Sequence, residues 1–302
     1  MYRSPGVSGG HVSRITKNPV DDIKCEAIWI IETINAATKA LHLLPIVGDY
    51  DLGYIYRNVK THKPGNPLHP IIRQIPALTY QLAKKLVAVL TPYIPDDNSL
   101  KSSAEFIEDL RTTPPGGVIT SMDVESLFTN VPLDEAIQII LDRVYRDDSM
   151  PPLNIPEHAL WTPFEICTKK ALFSTHRGHM HIQKDSVAMG SPLGVLFTNF
   201  YMGVVEHRVF ATIEKPSMCV WYIDDTFISA STEEEIEHLP FLDVLVGQQE
   251  ECFVMQVYMK PTNGCVNGES ECPERYKCTA ISTFIRRALS HCSSWKGTHT
   301  EL

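Results

Sequence analysis

Two adjacent acids, Asp224 and Asp225, sit between apolar, β-prone residues in Trp221-Tyr222-Ile223-Asp224-Asp225-Thr226-Phe227. The run predicts a strand, a tight turn at the acids and a second strand. A hairpin that lifts two carboxylates to its tip suits a divalent cation. Taken alone, a solvated Asp-Asp turn is the plainer account, because turn chemistry by itself favours Asp. A third acid, Asp123, closes the predicted strand Val118–Val124. By itself it reads equally as a strand-end acid capping the next segment. A strand order that brings Asp123 to the hairpin would place carboxylates from two segments around one metal pair. Phosphoryl transfer from a nucleotide uses such an arrangement, with two Mg²⁺ ions roughly 3.5–4 Å apart. Hard oxygen ligands suit Mg²⁺, which keeps its other positions for water and substrate phosphates. Neighbours on a strand point to opposite faces, so the two acids take unequal parts. Asp224 is expected as the direct ligand and Asp225 as a supporting one.

The elements that must position these acids follow from periodicity and turn residues. Helical patterns cover Ile23–His42, Tyr80–Leu90, Ser103–Arg111, a segment opened by Pro132, Ser191–Phe210 and Thr279–His291. Tyr54–Tyr56, His69–Arg73 and Phe253–Tyr258 read as extended chain, and Leu239–Val244 as a compact apolar element. Residues 1–20 read as irregular. Pro151, Pro152, Pro156 and Pro163 mark a loop.

A chain of 302 residues with 43% apolar side chains is long enough for one large domain or two ordinary ones, and it is not globally disordered. No apolar run reaches the length of a membrane span, so no membrane partner is expected. The N-terminus lacks an apolar signal core, which points to an intracellular protein. Eight cysteines form no regular framework and no CxxC pair. Cys265, Cys272, Cys278 and Cys292 gather near the C-terminus beside His291, as candidate zinc ligands or as plain thiols. The net charge of −9 is unevenly spread: +5 over residues 1–90, −7 over 91–180, −9 over 181–255 and +2 over 256–302. Basic ends around an acidic middle suit a nucleic-acid polymerase, whose arms hold phosphates and whose centre holds metal.

Six segments, in order, carry a more specific resemblance. Ser121-Met122-Asp123-Val124-Glu125-Ser126-Leu127-Phe128, Ala188-Met189-Gly190-Ser191-Pro192-Leu193 and Tyr222-Ile223-Asp224-Asp225 resemble motifs A, B and C of the reverse transcriptases of Penelope-like retroelements. Lys60-Thr61-His62-Lys63, Leu239-Pro240-Phe241-Leu242-Asp243-Val244 and Val257-Tyr258-Met259-Lys260-Pro261-Thr262 also fit that family, and the likeness runs from about Ile15 to Trp295. It implies an α+β fold: a right-hand polymerase palm with an antiparallel sheet and packed helices, partial fingers and a truncated thumb. The expected division is partial fingers over residues 1–112, palm over 113–245 with a fingers-like insertion near 145–185, and the primer-grip-proximal strand and thumb over 246–302.

The same resemblance lends roles. Asp123, Asp224 and Asp225 match the catalytic and metal-binding acids, with two Mg²⁺ ions or alternatively Mn²⁺. Phe128 matches the aromatic gate against a ribose 2′-hydroxyl, although a buried phenylalanine is the plainer reading of the residue alone. Val124, Met189 and Gly190 match the nucleotide site, where glycine allows close backbone approach. Lys60 and Lys63 would pair with the triphosphate, or else belong to a solvated basic loop. Leu239, Pro240, Phe241 and Leu242 match the primer grip. The implied partners are an RNA template, a DNA primer or target and dNTPs, in the nucleus.

The chain also departs from the family. His69 stands where arginine is usual, Arg57 where glycine is, and Met259 where arginine is. The stretch between Asp225 and Leu239 is shorter than in the family, and an unpaired sheet edge and exposed apolar surface are expected there. Part of the fingers and the GIY-YIG endonuclease domain are missing from the pattern. Two further readings follow: an inactive remnant with residual nucleic-acid binding, and an RNA-templated RNA polymerase, which would not need Phe128 as a gate.

Overall fold

The computed structural model describes residues 12–15, 19–37, 52–60, 65–75, 77–95, 97–183, 187–230, 238–249, 252–259 and 270–301. In chain order come β1 (Val12–Arg14), α1 (Val20–Ala37), β2 (Gly53–Val59), β3 (Leu68–Arg73) and α2 (Leu78–Leu90). Next are α3 (Ser103–Thr112), β4 (Val118–Asp123), α4 (Leu127–Asn130), α5 (Leu133–Tyr145) and α6 (Glu157–Cys167). Then follow β5 (Leu172–Ser174), β6 (Met180–Gln183), α7 (Pro192–Phe210), β7 (Met218–Tyr222) and β8 (Asp225–Ala230). The last are β9 (His238–Phe241), β10 (Val244–Gln249), β11 (Cys252–Val257), α8 (Glu274–His291) and α9 (Trp295–Glu301). No helix among the described residues is long and apolar enough to cross a membrane.

The elements gather into two compact units, each interleaved in sequence. The first comprises residues 1–95 and 126–207. Its sheet runs β1-β6-β5-β2-β3, antiparallel except where β2 meets β5. Gly53 and Tyr54 pair there with Phe173 and Ser174. Helices α5 and α7 of this unit are legible in the sequence. On α5, Leu133, Ala136, Ile137, Ile140, Leu141 and Val144 form one buried face at spacings of three and four. Pro132 stands at its N-cap, with Asp134 and Glu135 in the first turn, where acids oppose the positive helix end. The N-terminal half of α7 is rich in apolar residues and buries Leu193, Leu196, Phe197, Phe200 and Met202, while Val195 and His207–Val209 are exposed.

The second unit comprises residues 96–125 and 208–302. It holds two three-stranded sheets, β4-β8-β7 and β11-β10-β9, and their pairings are antiparallel. Helix α3 opens on Ser102, whose side chain accepts from the Glu105 N–H, while Glu105 reaches back to the Lys101 N–H. This reciprocal arrangement satisfies donors left over at the first turn. Phe106 from α3 then meets Phe227 of β8 and Phe241 of β9, at ring separations of 5.1 and 4.8 Å. Phe227 also meets Phe253 of β11 at 6.2 Å. These rings, with Ile107, Leu110, Ile119, Val220, Val244, Val246 and Met255, form a core across both sheets.

Several expectations need correction. The stretch 1–20 is not wholly irregular, since β1 pairs with β6 and α1 begins at Val20. The proline-marked loop contains α6, with Pro163 inside it. Burial of Ala159, Leu160, Phe164, Ile166 and Cys167 outweighs the lost helical hydrogen bond. The turn expected at Gly48–Asp51 lies outside the described residues.

Candidate functional site

The hairpin of β7 and β8 is held from its base to its tip. At the base, the Gly116 N–H donates to Ser229 Oγ at 2.9 Å, and Ser217 Oγ donates to the Ser229 carbonyl at 2.6 Å. A Cβ at Gly116 would fall 1.6 Å from Ser217 Oγ, so this seam requires glycine. Along its outer side, β7 is covered by residues 98–100. The Trp221 N–H donates to the Asn98 carbonyl, and the Leu100 N–H to the Trp221 carbonyl. Phe227 anchors β8 in the aromatic core.

At the tip, Tyr222 pairs with Asp225, leaving Ile223 and Asp224 as a two-residue loop. Ile223 has φ of +59°. A left-handed first position with an ordinary second one is the II′ pattern, whose twist matches the flanking strands. Glycine is the usual residue there. A β-branched isoleucine in that region is strained by about 1–3 kcal/mol.

Register brings the acids together. Asp123 at the end of β4 stands directly opposite Asp225 at the start of β8. Directly opposed residues share a face, with Cβ atoms about 5 Å apart. The Val124 N–H donates to the Asp224 carbonyl at 2.9 Å and ties the end of β4 to the turn. Asp123 and Asp225 are exposed, whereas Asp224 is half-buried. The cross-strand partner of Asp123 is therefore Asp225, and Asp224 stands beside the pair on the loop. No group of three or more His, Cys, Asp or Glu side chains able to enclose a metal ion occurs among the described residues. Asp123 and Asp225 are the two carboxylates that the register sets on one face.

The β9–β10 hairpin carries the expected primer-grip residues. Leu239 and Pro240 lie in β9, Phe241 closes it within the aromatic core, and Leu242 opens the turn. Pro240 is tolerated because β9 is an edge strand of its sheet. Leu242 and Asp243 both have positive φ, +46° and +65°, the pattern of a I′ hairpin loop. Arg287 on α8 bonds the Asp243 carboxylate at 2.8 Å, and the Tyr258 N–H donates to the Asp243 carbonyl at 2.8 Å.

A second group of expected residues gathers in the first unit. Phe128, Met189 and Gly190 line a cavity of about 600 Å³ together with Tyr80 and Lys84 of α2. The Val187 N–H donates to the Phe128 carbonyl at 3.0 Å. Gly194 leaves room for the Phe128 ring: a Cβ there would lie 3.2 Å from Phe128 Cε1 and 3.2 Å from the Ala188 carbonyl oxygen. Gly190 is more tightly constrained, because an added Cβ would fall 2.0 Å from the Ile72 carbonyl oxygen. Ser126, with φ of +56°, turns the chain into α4 and so presents Phe128.

Lys60 closes the β2–β3 hairpin through its N–H to the Pro67 carbonyl at 3.0 Å. Lys63 and Cys265 lie outside the described residues. Cys272 is half-exposed, Cys278 exposed and Cys292 buried. Sequence reasoning missed Gly116, Gly194, Tyr80 and Lys84 as parts of these sites. The spacing of Tyr80 and Lys84, four residues apart on one helix, was the available signal for that pair.

The profile of the family described as "Reverse transcriptase (RNA-dependent DNA polymerase)" matches residues 61–252. No curated protein matches the chain in sequence. Among solved structures, the chain is similar to telomerase from Candida tropicalis in complex with the TWJ fragment of telomeric RNA. That match has 12% identity and a TM-score of 0.51, covering 91% of this chain and 55% of the other. The apo telomerase of the same organism, truncated from its C-terminal domain, matches at 12% identity and a TM-score of 0.47, covering 73% and 58%. The chain thus spans a little over half the length of these structures. The match at a TM-score of 0.51 concerns the fold alone, and it agrees with a mixed α+β palm.

Proposed function

The chain belongs to the reverse transcriptase (RNA-dependent DNA polymerase) family, and from that premise we propose that it acts as the RNA-directed DNA polymerase of a Penelope-like retroelement. The observation that carries this reading is the register of Asp123 opposite Asp225, with Asp224 tied beside them through the Val124 N–H. Asp123 and Asp225, opposed across the two strands, would hold the metal, with Asp224 beside them on the loop. Bound there, Mg²⁺ or Mn²⁺ supplies Lewis acidity toward the attacking 3′-oxygen and neutralises charge on the departing pyrophosphate. The residues of the chain do the positioning on which phosphoryl transfer depends.

Lys60 and Lys63 bind the triphosphate of the incoming nucleotide in this scheme. Phe128 excludes a ribose 2′-hydroxyl, and Gly190 keeps the backbone close beneath the nucleotide. Leu239, Pro240, Phe241 and Leu242 hold the primer end. The partners are an RNA template, a DNA primer or target and dNTPs, and the setting is nuclear because such elements integrate into chromosomes.

A specific observation favours a second reading, a catalytically inactive remnant with residual nucleic-acid binding. β8 ends at Ala230 and β9 begins at His238, a short link where the resembled family carries a longer segment. β4 is also an end strand of its sheet. Primer extension on an RNA template separates the two readings. The polymerase reading expects dNTP-dependent extension that Asp224→Asn lowers by about 10²–10³ or more, the scale of losing a transition-state charge partner. Equal background from both proteins supports the remnant.

A further inference from the structure

The β2–β3 hairpin presents two exposed tyrosines that none of the roles above uses. Its register places Tyr54 opposite Arg73, Tyr56 opposite Ile71 and Asn58 opposite His69. Side chains alternate along a strand, so Tyr54, Tyr56 and Asn58 share one face with Arg73. The other face is packed at its base, where Ile55 and Ile72 meet Phe173 and Ala188. On the open face the two tyrosines are 39% and 40% exposed. Their ring centroids stand 6.1 Å apart with planes inclined at 47°. Each ring therefore offers a surface of its own instead of stacking on its neighbour. Arg73 Nη1 donates to the Tyr54 hydroxyl at 2.7 Å, and its guanidinium carbon lies 5.6 Å from the Tyr54 ring centre.

An exposed tyrosine on a hairpin ordinarily needs no ligand to explain it. Two observations set this pair apart. The first is the fixed guanidinium, which leaves Tyr54 with one preferred orientation before any ligand arrives. The second is charge. From Leu52 to Pro95 the chain has no acidic residue, yet it carries Arg57, Lys60, Lys63, Arg73, Lys84 and Lys85. A chain of net charge −9 has set one continuous basic segment apart, and the tyrosine pair lies within it.

We infer that Tyr54, Tyr56 and Arg73 form a stacking platform for the unpaired bases of a single-stranded nucleic acid. Flat, exposed rings stack on bases of any sequence, and neighbouring cations hold the phosphates. The chemistry disfavours a duplex, whose bases already stack on each other and leave no faces free. The inference deepens the template-copying reading and rests on it only for naming the strand as template. Recognition itself is stacking plus phosphate pairing and needs no catalysis.

The test is equilibrium binding by the full-length chain without dNTPs or metal. Fluorescein-labelled rU12, dT12 and a twelve-base-pair DNA duplex serve as probes. Tyr54→Ala and Tyr56→Ala are each expected to weaken single-strand binding by about five- to hundredfold, the range for one lost base stack, and to leave duplex binding within about twofold. Tyr56→Phe keeps the ring and should bind as the unaltered protein does. Arg73→Gln should lower the slope of log Kd against log salt by about one if the guanidinium pairs with a phosphate. A preference between rU12 and dT12 identifies the strand. Unchanged single-strand affinity in the folded double variant, with folding checked by its melting curve, overturns the platform. So does an equal loss toward single strand and duplex. An inactive polymerase leaves every one of these readouts in place, so failure of the platform and failure of the polymerase reading are distinguishable.

Discussion

Replacing Asp123 by Asn tests the acid pair without any turnover. Asp123 and Asp225 are directly opposed across β4 and β8, and both are exposed. With charges about 5 Å apart in a water-like surrounding, their repulsion is about 0.8 kcal/mol. Screening at 0.15 M salt, with a Debye length of about 8 Å, lowers this to about 0.4 kcal/mol. The metal-free protein therefore carries a penalty that Asp123→Asn removes. At about 2–4 °C per kcal/mol, the variant should melt about 1–2 °C above the unaltered chain in EDTA. Mg²⁺ should reverse the order. A site filled to ten times its Kd stabilises the native state by about 1.4 kcal/mol, and the variant forfeits most of that gain. The assay is a pair of thermal melts, in EDTA and in saturating Mg²⁺, on both proteins. A variant that melts no higher than wild type in EDTA, or gains as much from Mg²⁺, would falsify the claim that these carboxylates share one cation.

Two further outcomes follow from the packing. Gly194→Ala places a methyl 3.2 Å from the Phe128 ring and from the Ala188 carbonyl, so the ring must shift. Competition between deoxy- and ribonucleotides during extension should then show a preference about ten- to hundredfold weaker, and an unaltered preference would remove Phe128 from the gate role. His291 has its pKa lowered by burial and by the Arg287 cation, with Asp243 opposing. Its folded form binds a proton less readily than the unfolded chain does. The stability it contributes is therefore present above the ordinary histidine value of about 6.5 and is lost as pH falls below it. Melting curves between pH 7.5 and 5.5 should fall more steeply for the unaltered chain than for His291→Gln, and parallel curves would count against this.

The acid hairpin was legible because its signals are local. Apolar β-prone runs on either side of Asp224 and Asp225 demand strands, and two strands so close demand a turn. Its pairing with Asp123 was legible only as a requirement of the chemistry, since nothing local in Val118–Asp123 states which strand it joins. The same limit hid β1, which pairs with β6, about 170 residues away. The helix α6 was hidden for a different reason: proline signals outweighed an apolar pattern whose value appears only once it is packed. Left-handed residues such as Ile223, Ser126 and Leu242 were illegible in principle, because their types argue against that conformation and only surrounding contacts impose it. Gly190 could be read as a close-approach glycine, but its neighbour, the Ile72 carbonyl, could not.

The ring cluster has a mechanical consequence. Phe227 lies two residues beyond Asp225, and Phe241 one residue before the Leu242–Asp243 turn, with the rings 5.6 Å apart. Phe106 touches both. The acid-bearing hairpin and the hairpin of β9 and β10 are thus riveted through interlocked flat groups that cannot slide without opening the core. A copying enzyme must advance by one nucleotide after each addition. On the proposed polymerase reading, the floor under the growing end would not ratchet: the strand would move over a fixed anvil, and whatever resets between cycles would lie elsewhere in the molecule or in the nucleic acid itself.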